Sequence, residues 1–326
     1  MNQLIKKITK ELKDDFRAYE DILKKALYSN VKLINLVVNY AIKRKGKRFR
    51  PLLCILCSRL EGNKPNKATF LSAATVEILH VATLLHDDVV DDALIRRGWP
   101  SVNKIWKNKI SILVGDYMFS KSLRNISELD NLDNVKLLSK ISDRLSEGEI
   151  LQIEKAQNKD MTEEVYFKMI SDKTASLISG SCFLGYVSAN NNINNNKNIN
   201  NFGEYLGIAY QLKDDMFDVI GNLDETGKPS NLDLKKNMLT LPYIYAMNNL
   251  DINNKSSILS NLKYNCKNND IRKIKKMIIE SGGIEYTNKK ITEYSNKAIN
   301  ELNVFNESKY KDLLLEAVNF NLDRKY

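Results

Sequence analysis

Apolar residues recur at helical spacing along almost the whole chain. Such patterns cover 31–41, 68–86, 110–123, 135–156, 163–184, 199–220, 240–250, 270–280, 284–302 and 308–322. Apolar positions three and four apart line one side of a helix, and the alternation that marks strands is scarce. The spacing predicts an all-α protein with helices longer than average. The apolar run 51–57 predicts one more helix, with Pro51 suited to its first position. Two stretches break the periodicity. Residues 190–201 are nearly all Asn and are expected to form an exposed loop without chemistry. Residues 221–237 carry Gly, Pro, Asp and Lys directly after an acidic cluster, where ligand contacts are common. No Pro- or Gly-rich linker divides the chain, so a single domain over 1–326 is expected.

Composition sharpens this picture in three ways. Only 13 Gly and 5 Pro in 326 residues favour long helices, and 43% hydrophobic content suffices for a sizeable core. The net charge of +10 admits nucleic acid, anionic lipid or phosphorylated substrates as partners. No groove-reading motif or aromatic–basic surface supports nucleic acid, and scattered Lys among Asn and Ile looks like base composition. The four cysteines read as buried free thiols in a reducing compartment, because Cys54 and Cys57 lie inside an apolar helix without a second pair. No signal-peptide pattern opens the chain and no uninterrupted apolar run of about 18 residues occurs, so a cytoplasmic location without a membrane span is expected.

The candidate chemistry begins at Leu84-Leu85-His86-Asp87-Asp88-Val89-Val90-Asp91-Asp92. Its downstream counterpart is Tyr210-Gln211-Leu212-Lys213-Asp214-Asp215-Met216-Phe217-Asp218. Residues four apart share a helix face, so Asp87 pairs with Asp91, and Asp214 with Asp218. Carboxylates crowded beside apolar surface repel one another and resist desolvation. Mg²⁺, which takes a few carboxylates plus phosphate oxygens, would relieve both costs. The clusters therefore suggest Mg²⁺ held against a diphosphate, rather than two solvated helix faces.

Basic residues flank both clusters. Arg96-Arg97 follows the first, and Lys47, Arg48 and Arg50 precede the Pro51 helix. Arg forks bind phosphate oxygens bidentately. His80 stands two turns before Asp87. Downstream, Lys173 can reach a phosphate, Thr174 can offer oxygen lone pairs to a developing cation, and Gln211 points toward the region of Asp214. Lys228 lies in the 221–237 loop.

Taken together and in order, these markers resemble the trans-isoprenyl diphosphate synthases, or polyprenyl synthetases. The resemblance runs from about Gly46 to Pro242. It rests on Gly46-Lys47 with Arg50-Pro51, the first Asp motif with Arg96-Arg97-Gly98, Lys173-Thr174, Gln211 with the second Asp motif, and Gly227-Lys228. The first motif is most similar to bacterial long-chain members, of octaprenyl and heptaprenyl type, that make quinone side chains.

The resemblance implies a bundle of antiparallel helices around a deep central cavity, usually a homodimer. It implies head-to-tail condensation of isopentenyl diphosphate onto an allylic diphosphate such as farnesyl or geranylgeranyl diphosphate. Three Mg²⁺ ions are implied. Their ligands would be Asp87, Asp91 and Asp214, with Asp88, Asp215 and Asp218 close or water-linked. Arg96, Lys173 and Lys228 would hold the allylic diphosphate, and Lys47, Arg50, His80 and Arg97 isopentenyl diphosphate. Thr174 and Gln211 would stabilise the carbocation. Short-chain members place a bulky aromatic near Ala82 and Thr83. Here that floor is expected to be open, with Ile78 one turn deeper and a product of about C35 to C40 beside a helix rising 1.5 Å per residue. Release of so apolar a product implies a transient membrane contact. The alternatives are a short- or medium-chain synthase (C15–C20), a non-catalytic subunit of a heteromeric synthase and a terpene cyclase. Two motif positions depart from the family: Met238 replaces a usual lysine, and Lys45 a common glycine. The Asn-rich insert is a third departure.

Overall fold

In the computed structural model, residues 2–43, 48–96, 98–190, 193–221, 238–251, 255–256, 258 and 268–324 are described, and the periodic segments among them are helical. The helices are α1 (Asn2–Glu11), α2 (Lys13–Ala26), α3 (Lys32–Lys43), α4 (Phe49–Ser58), α5 (Lys67–Val90), α6 (Val102–Ser127) and α7 (Leu132–Asn158). They continue as α8 (Glu163–Ile170), α9 (Ser176–Ala189), α10 (Asn196–Ile220), α11 (Leu241–Asn249), α12 (Asn268–Glu280), α13 (Gly283–Glu301) and α14 (Lys309–Asp323). The all-α expectation is met. The Asn-rich stretch is a correction: it was expected as a loop over 190–201, yet α10 is helical from Asn196. Asn is a weak helix former, but Ile199 and Phe202 are fully buried, and that packing outweighs propensity. Among the described residues the only strands are β1 (Ile95–Arg96) and β2 (Trp99–Pro100), an antiparallel hairpin with Arg96 opposite Trp99.

The chain folds into two compact units, each built from three stretches of sequence. The first comprises Met1–Lys140, Leu177–Asn200 and Leu302–Glu316. Its core is α5, which packs on α2, α4 and α6. A capping box starts α5: the Asn66 side chain accepts from the Thr69 amide, and the Thr69 hydroxyl accepts from the Asn66 amide. At 24 residues, α5 is long and apolar enough by composition to cross a bilayer, although polar residues interrupt its apolar run. Yet 72% of its apolar window is buried inside the protein, so its side chains are satisfied by neighbouring helices. Helix α9 crosses α4 so closely that a Cβ at Gly185 would strike the Cys54 carbonyl. Cys54, Cys57 and Cys182 are buried free thiols, as expected, and burial pushes the first two well above the ordinary thiol range. Cys266 lies outside the described residues.

The second unit comprises Ile141–Ser176, Asn201–Glu301 and Ala317–Tyr326. Tyr166, Ile170, Leu212, Met216, Tyr243, Ile278 and Ile291 form its core. Between α8 and α9 the backbone makes a π-turn over Ser171–Ala175, carrying two of the candidate residues. Two glycines permit this wider turn. A Cβ at Gly148 on α7 would lie 2.7 Å from the Lys173 amide nitrogen, and one at Gly207 on α10 would lie 2.5 Å from Ala175 Cα.

Candidate active site

The first acidic motif ends α5. The Asp91 amide donates to the Asp87 carbonyl at 2.8 Å, and Asp91 caps the helix. Asp92 then turns into the left-handed region with φ +48°. The three motif carboxylates are not equivalent. Asp88 is buried and accepts from Arg96 Nε at 2.5 Å, while its carbonyl accepts from Asn103 Nδ2 at 3.0 Å. Asp87 is half-buried and Asp91 exposed. Gly98, with φ +79°, makes the turn that returns the chain through the hairpin and sets Arg96 against Asp88. His86 turns toward α6, with Nε2 3.2 Å from Asp116, over a Gly115 whose Cβ would collide with the ring. On the preceding turns, Arg50 lies 3.3 Å from His80 Nε2, so two residues assigned to one substrate do meet. Ala82 and Ile78 are buried one turn apart, while Thr83 is half-buried and donates to the His80 carbonyl at 2.9 Å. Lys47 and Arg97 lie outside the described residues.

The second motif ends α10 and divides in the same way. Asp215 is buried and accepts from Tyr166 Oη and from Gln211 Nε2, each at 2.6 Å. Burial raises its carboxyl to about 7; those two bonds pull the other way, and Asp214 and Asp218 push further up. Gln211 accepts in turn from Thr174 Oγ at 2.8 Å, so Thr174, Gln211, Asp215 and Tyr166 form one continuous chain. Asp214 and Asp218 are half-buried. Asp214 accepts from Arg324 at 2.5 Å, whose guanidinium also lies over the rings of Tyr210 and Phe217. Lys173 pairs with Glu149 and donates to Gln152 at 3.1 Å, both on α7. Arg144 braces the π-turn from beneath through Asp172 at 2.6 Å and Ser171 at 2.7 Å. Lys228 lies outside the described residues; Met238 is half-buried.

Both motifs therefore stand at helix C-termini, where the backbone dipole already disfavours anions. Each keeps two carboxylates at accessible positions and turns one inward to protein donors. Hard oxygen donors held at such an electrostatic cost suit a divalent cation. Among the described residues, no three or more His, Cys, Asp or Glu side chains converge closely enough to enclose a metal alone.

The sequence model for the polyprenyl synthetases matches residues 31–280. The chain belongs to the polyprenyl synthetase family. As a member it is a prenyltransferase with the all-α isoprenoid-synthase fold. It is 31% identical to an all-trans-nonaprenyl-diphosphate synthase (geranyl-diphosphate specific) of Rhodobacter capsulatus, over 95% of both chains. It is 35% identical to heptaprenyl diphosphate synthase component 2 of Geobacillus stearothermophilus, over 72% of this chain and 73% of the other. The crystal structure of a decaprenyl diphosphate synthase from R. capsulatus superposes with a TM-score of 0.93 at 30% identity, covering 98% of each chain. In this polyprenyl synthetase, nothing in the sequence alone marks Tyr166, Glu149, Gln152, Arg144 and Arg324 as supports of the site. Each is a common residue type far in sequence from the group it holds. The signal that could have found the π-turn is the pair Gly148 and Gly207, each well inside a long helix where glycine is costly.

Proposed function

We propose that the chain condenses isopentenyl diphosphate head to tail onto an allylic diphosphate and repeats the step to a long all-trans product of the kind that forms quinone side chains. The observation that carries the reading is the matched division of the two Asp motifs, each with one buried carboxylate held by protein donors and two less buried ones near a helix C-terminus. In this reading Asp87, Asp91 and Asp214 hold Mg²⁺ directly, with Asp88, Asp215 and Asp218 behind or beside them. Bound Mg²⁺, three ions per site, would supply Lewis acidity toward the diphosphate leaving group. Arg96, Lys173 and Lys228 hold the allylic diphosphate. Lys47, Arg50, His80 and Arg97 hold isopentenyl diphosphate. As the allylic carbon–oxygen bond breaks, Thr174 and Gln211 present oxygen dipoles to the cation, fixed in place by the hydrogen-bond chain that ends on Tyr166. The new carbon–carbon bond forms, and the released diphosphate takes the proton.

Long products are supported by the relatives' names and by the small Ala82. From Asp87 back to Lys67, α5 spans about 30 Å, so a chain growing beside it has several isoprene units of helix to follow. The exposed apolar side chains Ile112, Leu113 and Leu123 on α6 support a homodimer; the name "component 2" of one relative keeps a heteromer in view. The test is to incubate the purified chain with Mg²⁺, isopentenyl diphosphate and a farnesyl or geranylgeranyl primer, and to size the products. Products of about C35 to C40 are expected, and Ala82→Phe should shorten them to C15–C20 while condensation continues. A wild type that stops at C20, or a Phe variant with an unchanged ladder, defeats the long-chain assignment. No condensation by the chain alone defeats the self-sufficient synthase.

A further inference from the structure

The far end of α5 from Asp87 opens on a cavity of about 690 Å³ in the first unit. Lys25, Lys67, Lys121 and Arg124 line it. Among its described lining residues the one carboxylate is Glu128, which stands 3.6 Å from Arg124. Lys67 is the first residue of α5, so the positive end of that helix dipole adds to the field. Asn125 also borders the cavity; it is 4% exposed, and its Nδ2 has no hydrogen-bond partner in the protein. A buried amide donor facing a cationic cavity lacks an acceptor, and an oxyanion would supply one.

The rim of this cavity is the turn joining α2 to α3. It is pinned from below: Tyr117 Oη and Lys121 Nζ both donate to the Tyr28 carbonyl, at 2.9 and 3.2 Å. Tyr28, which lines the cavity with the cations, is 64% exposed, and Val31 in the same turn is 54% exposed. A soluble phosphate would match the cations but leave these apolar groups in water. A bilayer surface matches both, since phosphate headgroups meet Lys and Arg while Tyr and aliphatic side chains sit at the headgroup boundary.

We infer that this end of the first unit, built from the α2–α3 turn, the start of α5 and the α6 residues Lys121 and Arg124, docks on an anionic lipid surface. The docking site lies about 30 Å along α5 from Asp87, toward which a long product would grow. Its link to product release rests on the long-chain reading; the docking itself does not.

The test is co-sedimentation of the full-length protein, without substrates, on vesicles of phosphatidylcholine alone or mixed with phosphatidylglycerol at physiological salt. Binding is expected only to the mixed vesicles. The double variant Lys25→Glu/Arg124→Glu should partition more than about tenfold more weakly, because each cation near such a surface contributes separately. Tyr28→Ser should also weaken binding, and its backbone contacts remain available. Lys276→Glu/Lys289→Glu, an equal charge change on the second unit, should bind like wild type; circular dichroism confirms the fold of each variant. Absence of binding, equal binding to neutral vesicles, equal loss in both double variants, or unchanged binding by Tyr28→Ser each overturns the proposal. Because no substrate is present, these outcomes are independent of product length, and failure of the long-chain reading would leave vesicle binding unaffected.

Discussion

Within each Asp motif, adjacent carboxylates have different work. Asp87 and Asp214 stand at accessible positions, whereas Asp215 completes a buried network with Tyr166 and Gln211. Substitution should separate the two kinds. Asp87→Ala and Asp214→Ala are expected to keep the helical fold and lose several orders of magnitude in turnover, each tenfold being about 1.4 kcal/mol of barrier. Asp215→Ala removes the carboxylate that accepts from buried Tyr166 and half-buried Gln211, and should lower stability by about 1–3 kcal/mol. Turnover at saturating Mg²⁺ and urea midpoints, measured on all three, decide the matter. Near-normal turnover of Asp87→Ala would remove it from the metal site. The motif residues were legible because Asp-Asp-x-x-Asp is rare and chemically costly. Their partners were not: nothing in the sequence ties Tyr166 to Asp215 or Arg324 to Asp214, which meet only through folding.

Most helices were legible from their apolar stripe. The first two were passed over because their composition is strongly polar, although Leu4, Ile8 and Leu12 repeat every four residues and all are buried. The hairpin and the π-turn had no periodic signature, since each depends on a few residues and on close neighbours. Gly207 shows how an element is held open. Glycine in a helix ordinarily costs up to about 1 kcal/mol relative to alanine, so Gly207→Ala would stabilise an isolated helix. Here the added Cβ would lie 2.5 Å from Ala175 Cα, and the π-turn must move. The substitution should therefore destabilise the protein by about 1–3 kcal/mol and reduce turnover as well, because Lys173 and Thr174 ride on that turn. Chemical denaturation with an activity assay reads both, and a stabilised, fully active Gly207→Ala protein would show that the turn tolerates displacement.

At the scale of the molecule, the all-α class followed from periodicity and from the scarcity of Gly and Pro. The assembly of each unit from three separate stretches did not, because it depends on pairs such as Tyr186 with Phe305 in the first and Lys213 with the Leu322 carbonyl in the second, far apart in sequence. The buried cysteines have a use in this connection. Cys54, Cys57 and Cys182 all belong to the first unit, and alkylating reagents attack exposed thiolates. In native buffer these three should stay unmodified for as long as it takes unfolded chains to be labelled completely; rapid labelling of any one would contradict their burial. Peptide mass spectrometry distinguishes them from Cys266. Pulsed alkylation across a denaturant series then times the opening of the first unit alone, while circular dichroism follows every helix. The native thiols thus serve as an internal clock for cooperativity, with no probe to be engineered.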